Sequence, residues 1–309
     1  MDLKGRSLLS LKDFTAEEIR FLLDESKRLK ADFKAYNREK PLKGLTLGMI
    51  FQKRSTRTRV STEVAMYYLG GHGIFLSSSD IQLGAGETIK DTARVLSRML
   101  DGVLARVYAH EDVKELAKYS TIPVINALSD KYHPLQILAD LLTIEEHKDR
   151  LAGLKLAWSG DGNNVCNSLL IGCAKMGIDM SVATPKGYEP PNDVVELAMD
   201  FAEETGAKIV ITNDAEEAVK DADVVVTDTF VSMGEEDQEK EKLAVFSNYI
   251  VSDELCANAK PDFIFMHCLP YKHKEATEEI FESENSVVFD EAENRLCTVM
   301  AVLNALMGQ

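Results

Sequence analysis

Apolar residues along this chain follow two alternating rhythms. From residue 15 onward Ile19, Leu22, Leu23 and Leu29 keep the spacing of one helix face. Thr15 and Glu18 form a capping box ahead of them, and Phe14 and Ile19 sit where a hydrophobic staple closes the entry. The run LTLGMIF (45–51) reads as a buried strand. STRTRVSTEVAMYYL reads as the helix after it, stopped at Gly70-Gly71. A polar, glycine-bearing loop (77–88) leads to a helix from about Thr88 to Leu100. A strand at 102–108, a helix near 111–119, a strand at 122–128 and a helix over 134–147 follow.

A second alternation opens at LKLAWSG (154–160). Strand-like segments recur at 180–185, 208–213, 223–230 and 262–269, with helical stretches between them. A last helix starts near Glu291 and runs towards Met307. Strands separated by helices imply parallel sheets with right-handed crossovers. The pattern therefore predicts an α/β fold of two domains, each a mostly parallel sheet flanked by helices, with residues 1–148 in the first and 149–290 in the second. No internal repeat or low-complexity segment interrupts it. EEDQEKEK (235–242) reads as a solvated, mixed-charge loop or helix start.

Composition narrows the function classes. The formal charge is 35 minus 51, or −16. So acidic a chain is unsuited to nucleic acid, whose phosphates demand a basic surface. No apolar run approaches the roughly 18 residues of a membrane span. The opening MDLKGRSLLSLKDF lacks the layout of a secretory signal. Five cysteines form an odd set with no CxxC spacing, which fits a reducing cytoplasm better than a disulfide framework or a structural zinc.

Against that acidic background, GMIFQKRSTRTRVSTE (48–63) puts Lys53, Arg54, Arg57 and Arg59 where a strand gives way to a helix. A helix N-terminus offers free N–H groups and the positive end of a dipole. Ser55 suits the N-cap and Thr58 the third helical position, with Thr56 and Arg57 between. Hydroxyls, amides and a guanidinium then converge just past the strand end, an oxyanion site best matched by phosphate. The glycines and the GK[ST] ending of a Walker loop are absent. Lys53, Arg54 and Arg59 read as solvated cations on a capped helix. Three small hydroxyl residues around one arginine point Ser55, Thr56, Arg57 and Thr58 to ligation instead.

Other candidates stay open on their residues alone. Arg106, inside GVLARVY, must pair or reach a strand end, and a structural ion pair meets that need as well as a ligand does. In YHPLQ (132–136) Pro134 suits the first helical position. His133 and Gln136 there face the top of the sheet, where a neutral imidazole donates to a carbonyl oxygen or simply caps and packs. SGDGNNVCNS (159–168) has Gly160 and Gly162, but Val165 replaces the third glycine of a dinucleotide fingerprint, which speaks against a dehydrogenase. Asn163, Asn164 and Asn167 suit amide bonds to a small polar ligand, or capping. DTFVSMG (228–234) and MHCLP (266–270) each close a predicted strand, the end at which open α/β sheets bind ligands. Asp228 suits an ammonium group. Cys268 suits packing, metal ligation or nucleophilic attack. A zinc site from His267, Cys268 and His273 lacks the required spacing. Arg295, read as lying near the start of the last helix, opposes the dipole there and calls for an anionic partner, either Glu293 or a ligand.

Taken in order, FQKRSTRTR, LARVY, HPLQILAD, GDGNN, DTFVSMG, HCLP and EAENR resemble the ornithine carbamoyltransferase family, within the aspartate/ornithine carbamoyltransferase superfamily, from about Leu9 to Met307. The first and third motifs are shared with aspartate carbamoyltransferases; SMG together with HCLP points to ornithine. The resemblance implies a carbamoyl-phosphate domain and an ornithine domain joined by interdomain helices, with the terminal helix (291–309) packing back on the first. It implies that Ser55, Thr56, Arg57 and Thr58 bind the phosphate of carbamoyl phosphate. Arg106, His133 and Gln136 would hold its carbamoyl end, with Cys268, Leu269 and Arg295 around it. Asn164, Asp228, Ser232 and Met233 would form the ornithine site. Gln82 would reach a neighbouring subunit's site in a homotrimer or multiple of trimers. No metal and no other cofactor is implied.

The implied reaction is attack of the ornithine δ-amine on carbamoyl phosphate, with Arg57, Arg106, His133 and Cys268 as the catalytic groups and Cys268 positioning the amine. With the half-sites in different domains, ligands are expected to draw the domains together. Putrescine or an acylated ornithine as acceptor, and the reverse, catabolic direction, are the alternatives. One departure is visible: YKHKEAT (271–277) follows HCLP where many relatives continue with a basic residue, which leaves the role of that segment open.

Overall fold

The computed structural model describes residues 1–37, 39–79, 81, 86–231, 237 and 239–308. The chain divides into two compact units, the first Met1–Ala139 with Glu293–Gln309, the second Asp140–Ala292.

Unit one opens with helix α1 (Ala16–Lys34). The Thr15 hydroxyl accepts from Glu18 N–H at 3.2 Å and the Glu18 carboxylate from Thr15 N–H at 2.9 Å, so the capping box forms as the sequence predicts. Then come β1 (Thr46–Phe51), α2 (Thr56–Tyr68), β2 (His72–Ser77), α3 (Ile89–Leu96), β3 (Gly102–Arg106), α4 (His110–Tyr119), β4 (Val124–Leu128) and α5 (Pro134–Lys148). The strands pair in parallel in the order β2-β1-β3-β4. β1, β3 and β4 are buried almost throughout, which is why they read as near-continuous apolar runs, broken by Asn126 within β4 and Arg106 at the end of β3.

Unit two contains β5 (Lys155–Ser159), α6 (Asn164–Met176), β6 (Asp179–Ala183), α7 (Asn192–Thr205), β7 (Ile209–Thr212), α8 (Ala215–Val219), β8 (Val224–Thr227), α9 (Glu239–Val245), α10 (Asp253–Cys256), β9 (Ile264–His267) and α11 (Glu278–Phe281). Its sheet is also parallel, in the order β7-β6-β5-β8-β9. The boundaries of the units fall inside α5 and inside α12 (Val288–Met307).

Three readings need correction. Strand β2 was not anticipated. It directly follows the Gly70-Gly71 stop, lies at the sheet edge and is nowhere fully buried, so its apolar signal is weak. The last helix begins at Val288, not Glu291, which puts Arg295 well inside it and removes the dipole argument. Finally, EEDQEKEK is not wholly solvated: Lys242 is only 3% exposed.

Candidate active site

In unit one the carboxyl ends of β1 and β3 lie side by side, with Phe51 in register with Arg106. Ser55 leaves β1 in an extended conformation and caps α2, its hydroxyl accepting from Thr58 N–H at 3.2 Å. The first turn of α2 contains no acidic residue, so nothing there neutralises the positive end of the helix. Thr56 is exposed, Ser55 and Arg57 half-buried, Thr58 buried. Arg59 turns aside, pairing with Glu63 at 2.9 Å and lying 3.7 Å from the Phe75 ring centroid. Lys53 sits 4.7 Å from the Tyr108 ring centroid.

Four buried polar side chains meet this corner: Arg106 from the last position of β3, His133 and Gln136 from the start of α5, and Arg295 from α12. His133 precedes Pro134, and its carbonyl accepts from Gln136 N–H at 3.1 Å, which starts the helix. Arg295 donates to Gln136 Oε1 at 2.7 Å and to Thr58 Oγ1 at 3.4 Å. Burial, then the charges of Arg295, Arg106 and Arg57, hold the His133 imidazole well below its ordinary pKa. His133 is therefore a neutral imidazole among three guanidiniums, a set suited to polarising a carbonyl beside a phosphate.

In unit two Asp228 follows the end of β8 and is buried. Its carboxylate accepts from Asn163 Nδ2 at 2.9 Å, from Thr229 N–H at 2.7 Å and from the Cys268 thiol at 3.2 Å. Asn163 is also the N-cap of α6, its Oδ1 accepting from Val165 and Cys166 N–H. Asn164 is the first residue of that helix. Burial pushes the Cys268 thiol well up, and the Asp228 and Glu291 carboxylates add to the effect. Cys268 is thus a neutral donor to Asp228, which disfavours its reading as a thiolate nucleophile.

His267 shapes the turn that carries Cys268. Its Nδ1 accepts from Leu269 N–H at 2.8 Å, so Nε2 bears the proton and faces Glu275 Oε1 at 2.9 Å. Leu269 has φ +59°, a conformation uncommon for a non-glycine residue. Burial raises the Glu275 carboxyl, but hydrogen bonds from His267 and the Lys272 N–H outweigh it and leave the pKa below the usual value. Among the described residues one trio, Asp228, His267 and Cys268, has ligand atoms within 4.8 Å of one another. It makes a poor metal set, because both His267 nitrogens are committed and the thiol is held protonated.

Unit one thus brings together Ser55, Arg57, Thr58, Arg106, His133, Gln136 and Arg295, and unit two Asp228 and Cys268. Gln82, Ser232 and Met233 lie outside the described residues. Sequence reading left Asn163 as one of three equivalent amides and passed over Glu275. A carboxylate directly after the basic YKHK run gives no sign of being buried until His267 is seen to face it.

The carbamoyl-P binding domain model of the aspartate/ornithine carbamoyltransferases matches residues 6–146, and their Asp/Orn binding domain model matches residues 152–306. Ornithine carbamoyltransferase from Carboxydothermus hydrogenoformans is 54% identical over 306 residues, covering 99% of this chain and 98% of that one. The Pyrococcus furiosus relative named as the anabolic form is 52% identical over 309 residues, covering 100% of this chain and 98% of its own. The structure titled ornithine carbamoyltransferase from Pyrococcus furiosus superposes with a TM-score of 0.97 at 51% identity, covering 99% of this chain and 98% of that one. On its sequence along nearly its whole length, and on its fold, the chain belongs to the aspartate/ornithine carbamoyltransferase family.

Proposed function

We propose that the protein transfers the carbamoyl group of carbamoyl phosphate to the δ-amine of L-ornithine, giving L-citrulline and phosphate. The observation that carries this reading is the neutral His133 acted on by Arg57, Arg106 and Arg295 beside the N-terminus of α2. Ser55, Thr56, Arg57 and Thr58 bind the phosphate. Arg106, His133 and Gln136 hold the carbamoyl end, and Arg295 orients Gln136 and Thr58. The unprotonated amine nitrogen attacks the carbonyl carbon, charge gathers on the carbonyl oxygen, and the bond to the phosphate oxygen then breaks with its electron pair leaving on phosphate, which takes up the proton that the amine loses. Donors from Thr58, Arg106 and His133 stabilise the oxyanion, at about 3 kcal/mol for each well-aimed group. Asp228 takes the α-ammonium of ornithine, Asn164 its carboxylate, and Cys268 orients the amine.

Residues 1–148 with 291–309 serve as the carbamoyl-phosphate domain and 149–290 as the ornithine domain. We infer a homotrimer or multiple of trimers. Val60 and Tyr67 on α2 and Ile74 on the edge strand β2 are exposed apolar side chains on packed neighbours, the kind of face that a second copy covers. Light scattering tests this against the 34.3 kDa chain mass. All five cysteines are free thiols, in keeping with a cytoplasmic setting, and among the described residues no helix is long and apolar enough to cross a membrane. The deciding experiment is citrulline formation from carbamoyl phosphate and ornithine, run beside putrescine and aspartate. Turnover of either alternative in preference to ornithine overturns the acceptor assignment.

A further inference from the structure

We propose that the buried ion pair between Lys242 and Asp161 is a positioning pair for the amino-acid half-site, setting the affinity for ornithine rather than the rate of the chemical step. The proposal rests on reading Asp228 as the partner of the ornithine ammonium. Lys242 closes the most highly charged stretch of the chain, where a lysine ordinarily reaches for water. Here it turns inward from α9. Its Nζ lies 2.8 Å from Asp161 Oδ2, with the two side chains only 4% and 13% exposed. The same Nζ is 5.6 Å from the centroid of the Tyr188 ring.

An apolar pair of similar volume serves stability as well as a buried ion pair, or better, so the charges call for another reason. Their place in the unit supplies one. The Asp161 carbonyl accepts from the Trp158 indole N–H at 3.1 Å and from Asn163 N–H at 2.8 Å. Asn163 in turn donates its Nδ2 to Asp228 at 2.9 Å, and Asp228 accepts from Cys268 at 3.2 Å. An unbroken series of bonds therefore runs from Lys242 to the two side chains assigned to the acceptor. Gly162, inside the same corner, has no room to shift: a Cβ there would lie 2.4 Å from Pro190 N and 2.6 Å from Tyr188 O. Tyr188 meets Phe246 edge-on at 5.0 Å, and Phe246 stacks on Phe230 at 4.7 Å, two residues beyond Asp228. The corner is thus held against the Tyr188 segment on one side and by the lysine on the other. A directional charge-assisted bond fixes the place of Asp161, where an apolar contact would let it slide. The arginine cluster of unit one is not part of this series.

The test is steady-state kinetics on the full chain, with both substrates varied. Lys242→Met and Asp161→Asn are expected to raise KM for ornithine about tenfold while kcat moves less than about threefold and KM for carbamoyl phosphate less than about twofold. Lys242→Arg, which keeps the charge, is expected to restore near wild-type values. The double variant Lys242→Met with Asp161→Leu removes both charges of the pair together, so it is expected to fold even if a single variant does not, and to keep the raised KM for ornithine. A double variant with wild-type ornithine KM overturns the proposal. So do single variants that lower the melting temperature and kcat without moving that KM. Wild-type protein that makes no citrulline would instead overturn the functional reading itself.

Discussion

Arg295 and Gln136, 159 positions apart, are joined by a 2.7 Å hydrogen bond from guanidinium to amide oxygen, and both are almost completely buried. The bond fixes the plane of the guanidinium, whose other nitrogen then reaches Thr58 at 3.4 Å. One side chain of α12 so ties the first turn of α2 to the first turn of α5. Gln136→Ala leaves a buried charged donor without that acceptor. The expected cost is about 1–3 kcal/mol, read as a lower urea midpoint with an unchanged slope. A midpoint equal to wild type would show that the bond is replaced without loss.

Arg57 is half-buried at the open end of the same helix, so its removal should cost function rather than folding. Arg57→Ala is expected to lower citrulline formation by a factor of about 100 to 1000, the usual penalty for losing a donor aimed at developing charge. The thermal midpoint should stay within a few degrees of wild type. Activity within about threefold of wild type would remove this corner from phosphate binding.

Cys268 is a half-buried thiol held protonated by burial and by Asp228. Alkylation by iodoacetamide at neutral pH should therefore be slow, because the thiolate is the reacting species. Cys268→Ser shortens the donor and should raise KM for ornithine several-fold. A serine variant with unchanged ornithine affinity and turnover would rule out a positioning role.

His110 makes stability depend on pH. Burial, then the Lys12 charge, lowers its pKa from 6.5 to about 4, and its Nδ1 lies 2.9 Å from the Ser129 hydroxyl. The unfolded chain takes up this proton first, so the contribution is complete above pH 6.5 and is lost as pH falls towards 4. The full effect is on the order of 3 kcal/mol. Denaturant titrations of wild type and His110→Gln should converge as pH drops through this window. Parallel curves would place the titration elsewhere.

The sequence alone decided most of the secondary structure and the chemical character of the corner at residue 57. Helix α1 was legible down to its capping box because Thr15, Glu18 and Ile19 interact within one turn. The buried strands were legible because a parallel sheet covered on both faces demands continuous apolar runs. The gathering of Ser55, Arg57 and Thr58 at one helix end was legible because a cap and the first turn after it span only four residues. Strand β2 escaped because an edge strand exposed in part on each face keeps neither a continuous run nor a clean alternation.

What only the tertiary structure decided depends on partners distant in sequence. Burial and then three arginines hold His133 neutral; the arginines come from α2, β3 and α12, and no local spacing announces that they meet. The role of His267 was fixed by Glu275 and the Leu269 amide, which claim its two nitrogens. Lys242 looked like one more solvated charge until Asp161 was found 81 positions away. Local periodicity reports which face of an element is buried. The identity of the group across that interface, and so the protonation and direction of each polar side chain, is set by the packing of elements that the chain brings back from far along its length.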